Sequence, residues 1–256
     1  MTQVTASVGS ATQWASEGPV PAEDWNPVYR ALREPPAREG RGRPDEATVD
    51  LVLRQLTAPA LLVVAVTDAE RTRRMRIGLD PVVATLEHSE DDEPSHWSRI
   101  DAQEVPTRIT AMLEEAGIDL APARLGVERG STALRLSAEQ GRAAAGALAR
   151  GLAPEEAFAA VPALDAPLRD ALTATGPRLS LALTLHDPQH RVTEEPVTWS
   201  RLWATGRRGL YRLDQPPSPA LSIHPVDGGD VLGTLLPILE QGLRFAAACA
   251  PSGGAR

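Results

Sequence analysis

Apolar residues recur along this chain with two periods, one typical of strands and the other of helices. Leucine occupies every second position from 179 to 185, which predicts a strand with one face on a core. The nearly unbroken apolar run at 60–67 predicts a central strand buried on both faces. Before it, Val49, Val52, Leu53 and Leu56 have i, i+3, i+4, i+7 spacing, which predicts a helix that Asp45 caps and Pro59 ends.

The first folded unit is predicted to hold four strands and a closing helix. The strands are expected at 60–67, 73–78, 81–87 and 96–101, with an acidic loop at 88–94. Met75 and Ile77 should lie on one face of the second strand, and Arg74 and Arg76 on the other. The closing helix at 105–116 has Pro106 in its first turn and Gly117 as its C-cap.

The second unit repeats this plan after a helical middle region. Ser137 and Gln140 form a capping-box pattern that begins an Ala-rich helix at 138–150, and shorter helices are predicted at 154–160 and 167–173. Strands are predicted at 179–186, 196–204, 210–213 and around 221–223, before a final helix at 230–248 in which Pro237 is expected to produce a kink.

The predicted fold is therefore α+β, with an antiparallel or mixed β-sheet and flanking helical bundles. Two sheet-plus-helix halves, at about 45–117 and 137–248, should have a pseudo-two-fold arrangement within one domain at 45–248. The Pro- and Gly-rich segment 1–44 is expected to be loosely ordered, and residues 249–256 to form a flexible tail.

Composition narrows the class of function. The net charge of −8 argues against nucleic acid or an anionic membrane as the main partner. All 26 basic residues are arginine, so chemistry that needs a lysine is excluded. The single cysteine excludes an intramolecular disulfide and suits a reducing compartment. With neither a signal peptide nor an apolar run long enough to span a membrane, the sequence predicts a cytoplasmic protein.

No catalytic motif stands out, so we expect a protein that is not an enzyme and needs no cofactor. His186, Asp187 and His190 have the residue types of a metal site, but they lie on a connection between strands, where polar residues are expected anyway. Trp199 and Trp203 could form an exposed binding surface, or they could pack beneath the middle helices.

Several C-terminal segments resemble the EspG family, the cytoplasmic chaperones of type VII (ESX) secretion systems in actinobacteria. The matching residues are Pro196-Val197-Thr198-Trp199, then Gly206-Arg207-Arg208-Gly209-Leu210-Tyr211-Arg212-Leu213, then Ser222-Ile223-His224-Pro225-Val226-Asp227. The resemblance covers roughly residues 45 to 248. It implies a chaperone that binds helical-hairpin substrates near their tips and keeps them soluble for export.

The resemblance also directs attention to the connection 68–72, where substrate-binding members have a longer loop. The short connection here favours a small, WXG100-like partner over a PE–PPE pair. Three arginines on the following strand could bind an acidic partner, or could keep an outward face charged against strand pairing. The candidate partner-binding residues are Asp68, Glu70, Arg71, Arg73, Arg74, Arg76 and Trp203.

Two other classes of function remain open from the sequence. One is an immunity or regulatory module that binds a toxin or an enzyme. The other is a metal-dependent enzyme that uses His186, Asp187 and His190.

Overall fold

The computed structural model describes residues 46–91, 93–122, 133–187, 189, 192–193, 195–214 and 222–250. The segment 1–44, the predicted cap Asp45 and the tail beyond Ala250 lie outside the described residues.

One antiparallel sheet organises the described part of the chain. Its strands have the order β4-β3-β2-β1-β6-β7-β8-β9-β5. Every neighbouring pair is antiparallel, so the antiparallel form of the predicted sheet is the correct one. The strands are β1 (Ala60–Thr67), β2 (Thr72–Leu79), β3 (Val83–Glu90), β4 (His96–Asp101), β5 (Leu134–Arg135), β6 (Arg178–Leu185), β7 (Val197–Gly206), β8 (Gly209–Asp214) and β9 (Ser222–Val226).

The strand order confirms the pseudo-two-fold arrangement. β1 and β6 pair antiparallel at the centre of the sheet, with Ala60 opposite Leu185. From this centre β2, β3 and β4 follow one another outward on one side, and β7, β8 and β9 do so on the other. A helix follows the last strand of each run. The extents assigned to the two halves stay predictions, because one continuous sheet passes through both.

The described residues form six helices besides a short 3₁₀ turn at Ala102–Glu104. They are α1 (Glu46–Leu56), α2 (Val105–Glu115), α3 (Ala138–Ala149), α4 (Pro154–Ala159), α5 (Ala166–Leu172) and α6 (Gly228–Cys249). Local signals account for several ends. Ser137 Oγ accepts the N–H of Gln140 at 3.1 Å while the Gln140 side chain accepts the Ser137 N–H at 3.0 Å, which confirms the predicted capping box. Gly117 follows α2 with a φ of 78°, a conformation that favours glycine.

The two faces of the sheet are covered differently. On one, which we call the closed face, α2 and α6 pack on the alternate residues Leu62, Val64, Leu181 and Leu183, all of them buried. α6 approaches closely at Gly242, where a Cβ would lie 2.6 Å from Leu79 Cδ1. The other, which we call the open face, carries Val63, Ala65, Arg74, Arg178, Ala182 and Leu202.

Helices cover the open face only towards its two sides. α1 packs over β2, β3 and β4, and the Gln55 side chain donates to the Arg76 carbonyl at 2.8 Å. On the other side α3, α4 and α5 form a second core with Tyr211 and Ile223. Tertiary packing thus divides the apolar residues into a large core on the closed face and a smaller one at one side of the open face.

Three sequence predictions need correction. β1 is buried on one face only, since Val63 and Ala65 are half-buried while Leu62 and Val64 are fully buried. Cys249, assigned to the flexible tail, is the buried last residue of α6. The two-residue strand β5 was not predicted, because it is too short for a periodic pattern and depends on its partner β9.

The open face as candidate functional site

Strands β1, β6 and β7 form the middle of the open face, and polar and apolar side chains are mixed there. On β6, Ser180 is exposed and Ala182 is half-buried, whereas the alternate leucines of the same strand are buried on the closed face. On β7, Ser200 is exposed and Leu202 is 38% exposed. A central strand of a nine-stranded sheet with an exposed face is a surface that a further element could cover.

The flanking helices make this surface a trough. α1 packs over β2 at one side, and α5 packs over β7 at the other. Because α1 also packs over β3 and β4, and α5 also packs over β9 and β5, both helices lie towards the edges of the sheet. The strip between them is centred on β1 and β6.

Two of the predicted partner-binding residues, Arg74 and Arg76, lie on the open face. Arg76 Nη1 is 3.1 Å from Glu87 Oε2 on the adjacent strand, so its charge is already paired. Arg74 is half-buried and makes no ion pair within the described residues. Arg74 is therefore the predicted residue best placed to meet a partner on this face.

Asp68, Glu70 and Arg71 lie together on the short hairpin connection between β1 and β2. Asp68 Oδ1 accepts the N–H groups of Glu70 at 2.8 Å and Arg71 at 2.9 Å, and these hydrogen bonds lower the pKa of Asp68. A hydrogen bond to Glu90 Oε1, at 2.6 Å, raises the pKa of Arg71. The connection is thus an ordered turn at one end of the trough.

Arg73 and Trp203 lie on the closed face. Arg73 is 9% exposed, with its Nε 3.8 Å from Glu90 Oε1. Trp203 is fully buried, and its indole Nε1 donates to Asp230 Oδ2 at 2.8 Å. The prediction that Trp203 contacts a partner is wrong for this structure, since its side chain has no exposed surface. It does not pack beneath the middle helices either, because it belongs to the core that α2 and α6 cover.

Asp230 joins a group of charged side chains between α6 and the last strands. Arg212 Nη1 pairs with Asp230, and its Nε lies 3.2 Å from Asp214 Oδ2. Arg201 and His224 also approach Asp214, each at 3.5 Å. Their charges compensate one another, and the arrangement ties the start of α6 to the sheet.

The turn between β7 and β8, part of the sequence that resembles the EspG family, is held by a residue that the sequence did not single out. Asp170 on α5 accepts the N–H groups of Arg207 and Arg208, each at 2.9 Å, and the Tyr211 hydroxyl at 2.8 Å. A Cβ on Gly206 would lie 2.5 Å from Asp170 Oδ2, so glycine is needed there. No local pattern links Asp170 to a turn 37 residues later.

The candidate metal residues are only partly described. Asp187 is buried, and its two carboxylate oxygens accept the N–H groups of Gln189 at 2.9 Å and Val192 at 2.5 Å. His190 lies outside the described residues. In the ranges given above, no three metal-ligating side chains converge. The observed role of Asp187 is to fold the β6–β7 connection.

Searching the helices of the described ranges reveals none with the length and apolar character needed to traverse a bilayer.

Similarity to known proteins is found among solved structures. No protein-family model matches the chain, and no curated protein matches it. Among solved structures, the chain is similar to the Mycobacterium tuberculosis type VII secretion system chaperone EspG5, solved in complex with a PE25–PPE41 dimer. The similarity covers 82% of this chain and 80% of that chain, at 11% sequence identity and a TM-score of 0.40.

Proposed function

We propose that this protein is a cytoplasmic chaperone or adaptor, without catalytic activity, that binds a helical segment of a partner protein in the trough of the open face. The observation that supports this most directly is the uneven covering of the central strands. β1 and β6 are buried on the closed face, yet on the other face β6 exposes Arg178 and Ser180, and the alanines of both strands are only half-buried.

The mixed character of the trough fits an amphipathic helix. Its half-buried apolar residues, Val63, Ala65 and Ala182, would meet the apolar face of such a helix, and the serines beside them remain compatible with water. A client helix that exposes apolar residues tends to aggregate, so covering them keeps the client soluble.

The sequence resemblance to the EspG family supplies the proposed class of client. On that basis the client is a helical-hairpin substrate of a type VII secretion system, of the PE–PPE or the WXG100 kind.

The proposal is tested by co-expressing the chain with helical secretion substrates of both kinds. We expect one class to co-purify as a stable, stoichiometric complex on size-exclusion chromatography. If every substrate pair elutes separately from the chain, the proposal is wrong.

A pair of matched variants locates the contact. Leu202→Asp changes a 38% exposed leucine on the open face, and Leu236→Asp changes a 51% exposed leucine on α6. Both variants should fold, since each replaces a partly solvated side chain. Leu202→Asp should abolish recovery of the complex, while Leu236→Asp should leave it intact. Equal recovery of the complex with both variants would show that the client does not bind to the open face.

A further inference from the structure

Four arginines gather at one end of the trough. The register places Arg74 on β2 opposite Ala65, and Arg178 at the start of β6 opposite both Thr67 and Ala204. β7 ends shortly after Ala204, at the turn that carries Arg207 and Arg208. The sheet thus brings residues from three separate segments to one end of the open face.

These arginines lack the carboxylate partners that other arginines nearby have. Arg71, Arg73 and Arg76 lie 2.6, 3.8 and 3.1 Å from a glutamate oxygen. In the part of the chain that the structure describes, none of the four forms an ion pair. Arg178 donates instead to the Ala174 carbonyl at 3.2 Å, and its side chain is exposed.

Two of the four cations are carried by a turn whose backbone is fixed. Asp170 holds the N–H groups of Arg207 and Arg208, and Gly209 closes the turn with a φ of 142°. Both arginine side chains are exposed. A fixed backbone presents these side chains in a defined direction and lowers the ordering cost of a contact.

Carboxylates offset only part of this charge. Asp170 stays ionised while it accepts hydrogen bonds from the turn and from Tyr211, so it offsets one of the three arginines on β6 and the turn. The other carboxylates at this end lie on the β1–β2 connection and at the end of β3, near Arg71 and Arg73; they are Asp68, Glu70, Glu90 and Asp91. In a protein of net charge −8, the excess of positive charge therefore lies on the side of β6 and the β7–β8 turn.

We infer that this cationic end selects clients whose bound helix carries a cluster of carboxylates at one end, which fixes the direction in which the helix lies in the trough. This inference rests on the proposed function and names the chemical class of its client. The apolar stripe of the helix covers Val63, Ala65 and Ala182, and its acidic end meets Arg74, Arg178 and the turn. Exposed ion pairs add little affinity each, so their effect is on orientation, association rate and salt dependence.

The test uses two synthetic 20-residue helical peptides with the same leucine stripe, spaced i, i+3, i+4, i+7. One carries a cluster of glutamates at one end, and the other has glutamine at those positions. Binding to the full chain is measured by calorimetry at low and high salt. We expect the acidic peptide to bind about tenfold more tightly at low salt, with the difference shrinking as salt screens the charges.

Charge reversal in the protein provides the matched control. The pair Arg178→Glu with Arg207→Glu should remove the preference for the acidic peptide. The pair Arg99→Glu with Arg142→Glu makes the same change in net charge at exposed positions on β4 and α3 and should keep the preference. Unchanged thermal unfolding verifies that each variant is folded.

The outcomes separate this inference from the function on which it rests. Equal binding of both peptides to the wild type, with loss of both on Leu202→Asp, overturns the charge preference and leaves the trough as a helix site. Loss of the preference for the acidic peptide in both charge-reversed pairs also overturns the inference, because the net charge of the protein would then explain the preference. If neither peptide binds the wild type, the trough as a helix site fails together with the inference.

Discussion

The two faces of the sheet are built from alternate residues of the same strands, yet helices cover them to different extents. On β1, Leu62 and Val64 are fully buried beneath α6, while Val63 and Ala65 are only half-buried on the open face. The closed face holds the larger core and the open face leaves a trough between α1 and α5. Alternation within one strand thus lets the protein combine a buried interior on one face with a partly exposed surface on the other.

The largest effect should come from comparing adjacent leucines of β1. Leu62→Ala removes a fully buried side chain from the closed-face core and should lower the free energy of unfolding by about 2–5 kcal/mol. Leu61→Ala makes the same change at a half-buried position on the open face and should lower the free energy of unfolding clearly less. Denaturant unfolding measures both, and equal losses would contradict the difference between the faces.

Each face also has one buried aromatic residue that donates to an aspartate. Trp203 on the closed face donates to Asp230 at 2.8 Å, and Tyr211 beneath the α3–α5 helices donates to Asp170 at 2.8 Å. Losing a hydrogen bond to a charged group costs about 1.5–3 kcal/mol, so Tyr211→Phe should lower stability by that amount. Trp203→Phe should cost more, because it also leaves a cavity.

Thermal unfolding of the two aromatic variants tests this order. A Trp203→Phe protein as stable as the wild type would show that Trp203 and Asp230 do not hold α6 to the sheet.

The pH dependence of stability should distinguish Asp170 from the residues of the closed face. Burial alone would raise the pKa of Asp170, but hydrogen bonds from the Arg208 N–H, the Tyr211 hydroxyl and the Arg207 N–H outweigh it and lower that pKa. A lowered folded-state pKa stabilises the protein above the unfolded value of 3.8, and this stability is lost as the pH falls through the lower folded value.

Asp170→Asn should therefore reduce stability near neutral pH and flatten its decline in acid. Urea unfolding between about pH 2.5 and 7 measures how the free energy of unfolding depends on pH, with Glu115→Gln at an exposed position of α2 as the control. If the free energy of unfolding of Asp170→Asn falls as steeply in acid as that of the wild type, Asp170 is not the source of the decline.

The smallest effect is expected in the middle of the trough. Ser180→Ala replaces an exposed side chain of β6 and should change the free energy of unfolding by less than about 0.5 kcal/mol. A loss above about 1 kcal/mol in denaturant unfolding would show that the open face contributes to the fold as the closed face does.

Much of the architecture could be predicted from local patterns. The leucine alternation at 179–185 gave both the strand and its buried face, and the Ser137–Gln140 pattern gave the start of a helix through a reciprocal hydrogen bond. The candidate site was predicted less well. Arg74 lies on the open face as its alternation with Met75 indicates, but Trp203 is buried because the start of α6 supplies both apolar cover and Asp230.

The sequence by itself determined where the strands and helices form and which residues share a face, because these depend on period and on local caps. Only the tertiary structure decided which faces the helices cover, that Asp170 holds the β7–β8 turn, and that arginines from three segments meet at one end of the trough. Those outcomes depend on contacts between residues far apart in the chain, and such contacts follow from how the sheet is ordered and packed rather than from any local pattern.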